Sequence, residues 1–347
     1  MFSRLFIISN SLLIRIFQNK IKLEARIKEF AFELGFDAFG ITNTDPIQNV
    51  DVLESKIQSR SFTGMDWMRK TFEVRINPRK LMPAANSIII LAASYYIDDK
   101  FSEQSLCENK LSFARYALFT DYHKVLKERL TKLEDFIRKI SPEQVWTKSF
   151  VDTSPVMERA IAHRAGIGFY GKNSNIIIPN SGNWNFLCGV LTSLALKSEN
   201  KPLPSYCGKC TRCIDICPTG ALSGPYNLDL QKCIAFLTIE NKGPIPEIYR
   251  SKIGNRLFGC DACLAVCPWN RFSRAGAIMS EHVRKDILKL KPAEIASMNE
   301  SQFDCVFGST PISRCGLAGL LRNLCVVLGN SKNADNIPIL KKLAQNN

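Results

Sequence analysis

The sequence predicts an α/β domain, a two-cluster ferredoxin-like domain after it, and a short α-helical region at the C-terminus. Three observations predict this. Helical and wholly apolar strand-like segments alternate up to about residue 200. Eight of the 13 cysteines fall between Cys207 and Cys267. Beyond them, Leu320-Leu321 to Leu328 and Ile337 to Leu343 read as helix. The boundaries drawn from these patterns are 23–200, 201–275 and 276–347, with residues 1–22 as an unassigned extension.

The extension carries no acid and is interrupted by Arg4, Asn10 and Arg15. It fits a targeting segment as well as a plain extension. Leu23, Ile27, Phe30, Ala31 and Leu34 then share one helix face, which Gly35 can end. A short strand is expected over Phe36 to Ile41. The unalternating run Ser87 to Tyr95 reads as a strand covered on both faces. Asp121 can N-cap a helix bearing Leu126, Leu130, Leu133, Ile137 and Ile140. Lys201-Pro202-Leu203-Pro204 serves as the linker into the cysteine-rich part.

Composition narrows the class. With 46% hydrophobic and 22% charged residues, the chain is neither disordered nor collagenous. Its longest notable apolar run, Ile88 to Ala93, is far short of the ~20 residues that span a bilayer, so no membrane role and a cytoplasmic location are expected. A net charge of +14 and a pI near 9.2 favour a polyanionic partner. An odd number of cysteines concentrated in one segment suits metal binding in a reducing compartment better than a disulfide scaffold.

Cys207, Cys210, Cys213 and Cys217-Pro218 form C-x2-C-x2-C-x3-C-P, the run of bacterial two-cluster ferredoxins. Three of its thiolates bind one cubane and the fourth reaches the other. Zinc sites prefer cysteine pairs separated by a longer loop. The second run, Cys260, Cys263 and Cys267-Pro268, lacks its first cysteine, whose place Leu257 takes; Cys233 can supply that thiolate. The crossing rule then gives one 4Fe–4S cluster to Cys207, Cys210, Cys213 and Cys267, and the other to Cys217, Cys233, Cys260 and Cys263. With both clusters the net charge becomes about +10, still basic.

Electrons from two cubanes need a consumer in the α/β part. Gly166-Ile167-Gly168-Phe169-Tyr170-Gly171 matches G-x-G-x-x-G, but a helix-like stretch precedes it and no acid occurs from Arg159 to Ser198 for a ribose. The acid-free window leaves Arg159, Arg164 and Lys172 unneutralised, a surface for phosphate or amide groups, or simply a tight turn. Asp121-Tyr122-His123 begins a D-x-H motif for a cobalt-ligating histidine, yet Leu126 stands where that motif needs glycine. Tyr122 and His123 are therefore expected in a site wall or at a helix start, not as an axial ligand.

Val151-Asp152-Thr153-Ser154-Pro155, RAGIGFYGKN at 164–173, the DYH at 121–123, CGKCTRCIDICPTGAL and KIGNRLFGCDACLAVCPWN together resemble the epoxyqueuosine reductase family, in the family's order and over about residues 23–330. The resemblance implies the last step of queuosine biosynthesis in tRNA, with base-off cobalamin in the N-terminal α/β domain beside two 4Fe–4S clusters. It places the proton donor at Asp152, which also faces the cobalamin, and a corrinoid contact at Arg75. Backbone contacts to cobalamin fall near Ile176 and Leu187, and candidate tRNA contacts at Lys252 and Arg256. It further implies an external one-electron donor such as ferredoxin or flavodoxin, and a monomer. A general acid should be protonated when needed, so burial is expected to raise the Asp152 pKa. The competing role for Asp152-Thr153-Ser154, with Glu158, is to cap a helix. Two other functions remain open: a ferredoxin-like electron carrier, and a corrinoid dehalogenase of small molecules. Dehalogenases are commonly exported with a twin-arginine signal, and no Arg-Arg pair occurs near this N-terminus.

Overall fold

A computed structural model describes residues 22–58, 64–97, 111–198 and 200–345; the extension, residues 1–21, lies outside them. The N-terminal part runs α1 (Leu23–Glu33), β1 (Ala38–Asn43), α2 (Phe72–Ile76), β2 (Ser87–Ser94), β3 (Ser112–Phe113) and α3 (Tyr122–Ile140). It continues with β4 (Thr147–Val151), α4 (Glu158–Arg164), β5 (Phe169–Tyr170), β6 (Ile176–Ile177) and β7 (Asn185–Thr192). The main sheet has the order β1-β2-β7-β4, and every neighbouring pair is antiparallel. Alternating helices and strands suggest parallel crossovers. Here the apolar runs report cover on both faces rather than strand direction.

That cover is visible residue by residue. Every residue of β2 is buried. Ile89, Leu91 and Ala93 face Ile27 and Ala31 of α1 and Val125, Leu126, Leu130, Leu133 and Ile137 of α3. Ile88, Ile90 and Ala92 belong to the opposite layer, with Phe150, Ile161 and Ala162 of α4, Ile167 and Ile176. Both layers follow from the two-residue alternation of a strand. Gly189, paired with Phe150, makes room for that ring: an added Cβ would lie 2.3 Å from the Ile89 carbonyl oxygen.

The cysteine-rich part carries β8 (Leu222–Gly224), β9 (Asn227–Leu228), α5 (Ile234–Ile239), α6 (Glu247–Ile253) and β10 (Arg256–Phe258), and α7 (Gly316–Asn330) follows. β10 pairs in parallel with β3, so the cysteine-rich part is stitched to the preceding one. A second core then joins Phe113 and Leu118 to Leu257 and Phe258, and both to Phe303, Phe307, Leu320 and Leu324. Asn323, fully buried, donates to the carbonyls of Thr238 and Leu257 at 2.8 and 3.0 Å. Among the described residues, one helical segment, Pro311–Asn330, is long and apolar enough to cross a membrane. Its Leu320 and Leu324 are wholly enclosed by the second core.

Candidate active site and cluster sites

The start of α3 and the end of β4 bring four polar side chains together. Asp121 caps α3, accepting the His123 amide at 3.0 Å, and the same oxygen lies 2.7 Å from His123 Nδ1. One carboxylate thus fixes both the helix start and the imidazole. On the other side, His123 Nε2 stands 3.4 Å from Asp152 Oδ2, an ion-pair distance without hydrogen-bond alignment. The Tyr122 hydroxyl donates to that Asp152 oxygen at 2.7 Å. Tyr122 is held in turn by stacking on His123 and Phe186, at 4.2 and 4.1 Å between centroids.

Charge follows from this geometry. Desolvation lowers the His123 pKa, but the Asp121 hydrogen bond and the negative charge of Asp121 and Asp152 outweigh it and bring it up to about 9. Desolvation raises Asp152, and the His123 and Tyr122 contacts more than offset it, holding the carboxyl below its ordinary value. The expected buried, neutral acid is therefore an ionised carboxylate, 62% exposed, facing an imidazolium. Nor does it cap α4: no side chain caps that helix, whose first residue is Glu158. The backbone at Asp152 is left-handed, φ 37°, a conformation Asp tolerates better than most residues and one that concentrates at functional sites.

Glu158 was expected only as half of a capping box. Burial instead pushes it up to about 8, with Asp152 and Arg75 as charged neighbours, and its Oε1 is buried without a hydrogen-bond partner. Arg75 of α2 is 8% exposed, donates to Thr71 Oγ1 and the Val156 carbonyl at 3.0 and 3.2 Å, and lies over Trp67. Arg75, Asp152 and Glu158 form one corner.

The cysteines divide into two neighbourhoods. Cys207, Cys210, Cys213 and Cys267 line a cavity of about 180 Å³ with Lys172, Asn173, Tyr206 and Trp269. Cys233 neighbours Cys217, and Cys260 and Cys263 neighbour each other and Cys233. All twelve described cysteines are free thiols. Among the described residues, no three His, Cys, Asp or Glu side chains converge as a single metal ion requires. The thiols of the first neighbourhood surround a volume, which suits a cluster better than zinc.

A family model for a 4Fe–4S double cluster binding domain matches residues 206–270, and one described as epoxyqueuosine reductase QueG, DUF1730, matches residues 75–153. The epoxyqueuosine reductase of Escherichia coli (strain K12) is 37% identical over 311 residues, covering 89% of this chain and 82% of that protein. The Pseudomonas aeruginosa enzyme is 36% identical over 324 residues, covering 93% and 89%. The chain belongs to the epoxyqueuosine reductase family. A crystal structure of epoxyqueuosine reductase with an epoxyqueuosine-modified tRNA-Tyr stem loop matches with a TM-score of 0.83 and 33% identity, over 92% of this chain and 84% of that one. The Bacillus subtilis epoxyqueuosine reductase, with an aspartate-bearing catalytic loop swung out of its active site, matches with a TM-score of 0.83 and 32% identity, over 94% and 86%. As in the family, the oxidoreductase domain is joined to a double iron–sulfur cluster domain.

The other expected residues fall as follows. Ile176 and Leu187 lie in one apolar cluster, and β4 ends with the Val151–Cys188 pair, so Asp152 emerges beside Leu187. Lys252 is exposed in the last turn of α6, whereas Arg256, in β10, is half-buried, donates to the Ile253 carbonyl and has Cys260 and Asp261 as charged neighbours. The two do not share a helix face. The three cations of the acid-free window are also employed. Arg159 donates to the Ser174 carbonyl, Arg164 to those of Asn43 and Asp45, and Lys172 to those of Gly208 and Cys210. Carbonyls take the place of the missing acids, and Lys172 ties the glycine-rich turn to the first cysteine loop. The G-x-G-x-x-G itself leads from α4 into β5, not from a strand into a helix, so it lacks the dinucleotide-binding context.

Proposed function

We propose that this chain performs the reduction of epoxyqueuosine to queuosine in tRNA, in the cytoplasm, with Asp152 as proton donor and base-off cobalamin as the cofactor at the α/β domain. The observation that carries this reading is the acid network Asp121–His123–Asp152–Tyr122, in a chain that also holds a double cluster domain. The residues suit a corrin held without histidine ligation. Both His123 ring nitrogens face carboxylates, and Arg75, Ile176 and Leu187 are offered from the corner and the sheet end next to Asp152. When bound, cobalamin supplies a reduced, nucleophilic metal centre.

Removing an epoxide oxygen as water takes two electrons and two protons. The electrons come one at a time through the clusters, from an external one-electron donor such as ferredoxin or flavodoxin. Protons are the task of this chain's side chains. Resting Asp152 is ionised, and His123 stores one of the two protons beside it; the second comes from solvent. Substrate covering Asp152 removes water from the carboxylate, which raises its pKa and draws that proton across. Asp121 keeps the imidazole aligned throughout, and Tyr122 holds the Asp152 oxygen that faces it. The left-handed backbone at Asp152 presents the carboxyl outward from the strand end.

The deciding experiment is an anaerobic reduction assay on tRNA bearing epoxyqueuosine, with and without added cobalamin, read by nucleoside analysis. Conversion that depends on cobalamin is expected. Clusters that cycle without any change in the modified base would return the chain to the electron-carrier reading.

A further inference from the structure

The first cysteine set has a second, outward side. Arg212, Asp215, Ile216, Ala265, Val266, Cys267, Pro268 and Arg271 line an open groove of about 670 Å³. One thiol, Cys267, is thus shared between the cluster cavity and this surface groove. The groove's lining and surroundings are apolar for exposed surface: Ile216 of the lining is 47% exposed, Phe272 under Arg271 37%, and Tyr206 of the adjoining cluster cavity 49%. It is also basic. Arg212 and Arg271 of the lining are exposed, as is Lys209 in the Cys207–Cys210 loop of the same cysteine set, and Asp215 is the one acid of the lining. Among the described residues, neither Arg212 nor Arg271 is paired with a carboxylate. Arg271 is instead laid flat over Phe272 at 4.6 Å.

The second cysteine set adjoins buried residues. Asp261, between Cys260 and Cys263, accepts the Arg115 amide at 2.6 Å, and the Arg115 guanidinium lies 4.2 Å over buried Trp184. Buried Tyr122, 6.4 Å from Tyr116 between ring centroids, then leads to Asp152. One set adjoins a basic, apolar groove at the surface, and the other adjoins the buried interior behind the acid network.

We propose that the Arg212–Ile216–Arg271 groove is where an acidic one-electron donor protein docks, so that electrons enter at the Cys207/Cys210/Cys213/Cys267 cluster. The inference rests on the reductive reading of the site and adds its entry point. Each encounter oxidises the donor by one electron and takes one cluster from the 2+ to the 1+ state; no bond forms or breaks. Two encounters supply the two electrons that one epoxide requires. Unpaired cations around an apolar centre match an acidic protein surface, where complementary charge steers encounter and apolar contact holds it. A polyanionic RNA would also be drawn to these cations. Its modified base, however, has to reach Asp152, whereas this groove ends on a cluster ligand.

The test uses the full holoprotein with reduced flavodoxin as the acidic donor, following cluster bleaching anaerobically by stopped flow at low and high salt. Dithionite reduction, iron content and tRNA affinity are measured on the same samples. Arg271→Glu and, separately, Lys209→Glu should slow flavodoxin-driven reduction about tenfold at low salt, with the difference shrinking as salt rises. Arg271→Lys should restore most of the rate. Dithionite-driven reduction, iron content and tRNA affinity should not change. Unaltered flavodoxin rates in both charge reversals would overturn the proposal. So would a loss of tRNA affinity with the donor rate intact, which would give the groove to RNA, or an equal slowing with dithionite, which would place the effect in the cluster. Because the readout is cluster reduction, it stands apart from any failure on epoxyqueuosine.

Discussion

Replacing Asp152 by Asn separates proton delivery from structure. The amide keeps the side-chain size and tolerates the left-handed backbone, but carries no charge and delivers no proton at neutral pH. In the native site His123 is brought from 6.5 to about 9, a shift that corresponds to at most roughly 3–4 kcal/mol in favour of the imidazolium. Asp121 at 2.7 Å is the nearer partner and Asp152 at 3.4 Å the farther, so losing Asp152 should lower the His123 pKa while leaving it raised by Asp121. Turnover on epoxyqueuosine tRNA should fall about 10²–10⁴-fold, the usual cost of a missing general acid. Iron content and tRNA affinity should be unchanged. Because the folded His123 pKa is raised, its stabilising contribution is full below about 6.5 and is lost as pH rises through about 9. Melting temperature should decline across that window in the native protein and less in the variant. The assays are single-turnover kinetics, imidazole titration by NMR and thermal melts against pH. Near-normal turnover in Asp152→Asn would refute the assignment, and an unmoved His123 titration would refute the electrostatics behind it.

Cys233→Ala should cost about half of the iron and spare the spectrum of the first cluster; full iron content would refute the ligand partition. Lys252→Ala should weaken tRNA binding and flatten its salt dependence by roughly one counterion, whereas half-buried Arg256→Ala should change it less, a contrast read from binding titrations at several salt concentrations. Gly189→Ala should destabilise by roughly 1–3 kcal/mol, since the new methyl meets the Ile89 carbonyl and the Phe150 ring, and a denaturant melt would show it.

Features set by near neighbours were legible in the sequence. The helix that Asp121 caps, the covered strand at Ser87 to Ser94 and the cysteine spacings all depend on residues close in the chain. What escaped depends on distant partners. Asp152 is ionised because Tyr122 and His123, some thirty residues away, point at it, and no local pattern announces that. Arg159, Arg164 and Lys172 have no acid near them in sequence, and their acceptors are backbone carbonyls, which are present at every position and so leave no sequence signal. Glu158 looked like a capping residue and is instead a buried carboxyl beside Arg75, a placement created by α2 packing close to the start of α4. Strand direction also escaped, since side-chain alternation is the same in parallel and antiparallel sheets.

The contacts of Asn323 bear on how the protein is made. Its amide pins the carbonyls of Thr238 and Leu257, which lie near the two ends of the segment between Cys233 and Cys260, and α7 closes the core beneath them. Those cysteines leave the ribosome well before residue 323 does. Until α7 has emerged, their scaffold lacks both the stitch and the floor. A chain cut before α7 would keep every cysteine of the second site and lose the contacts that frame them.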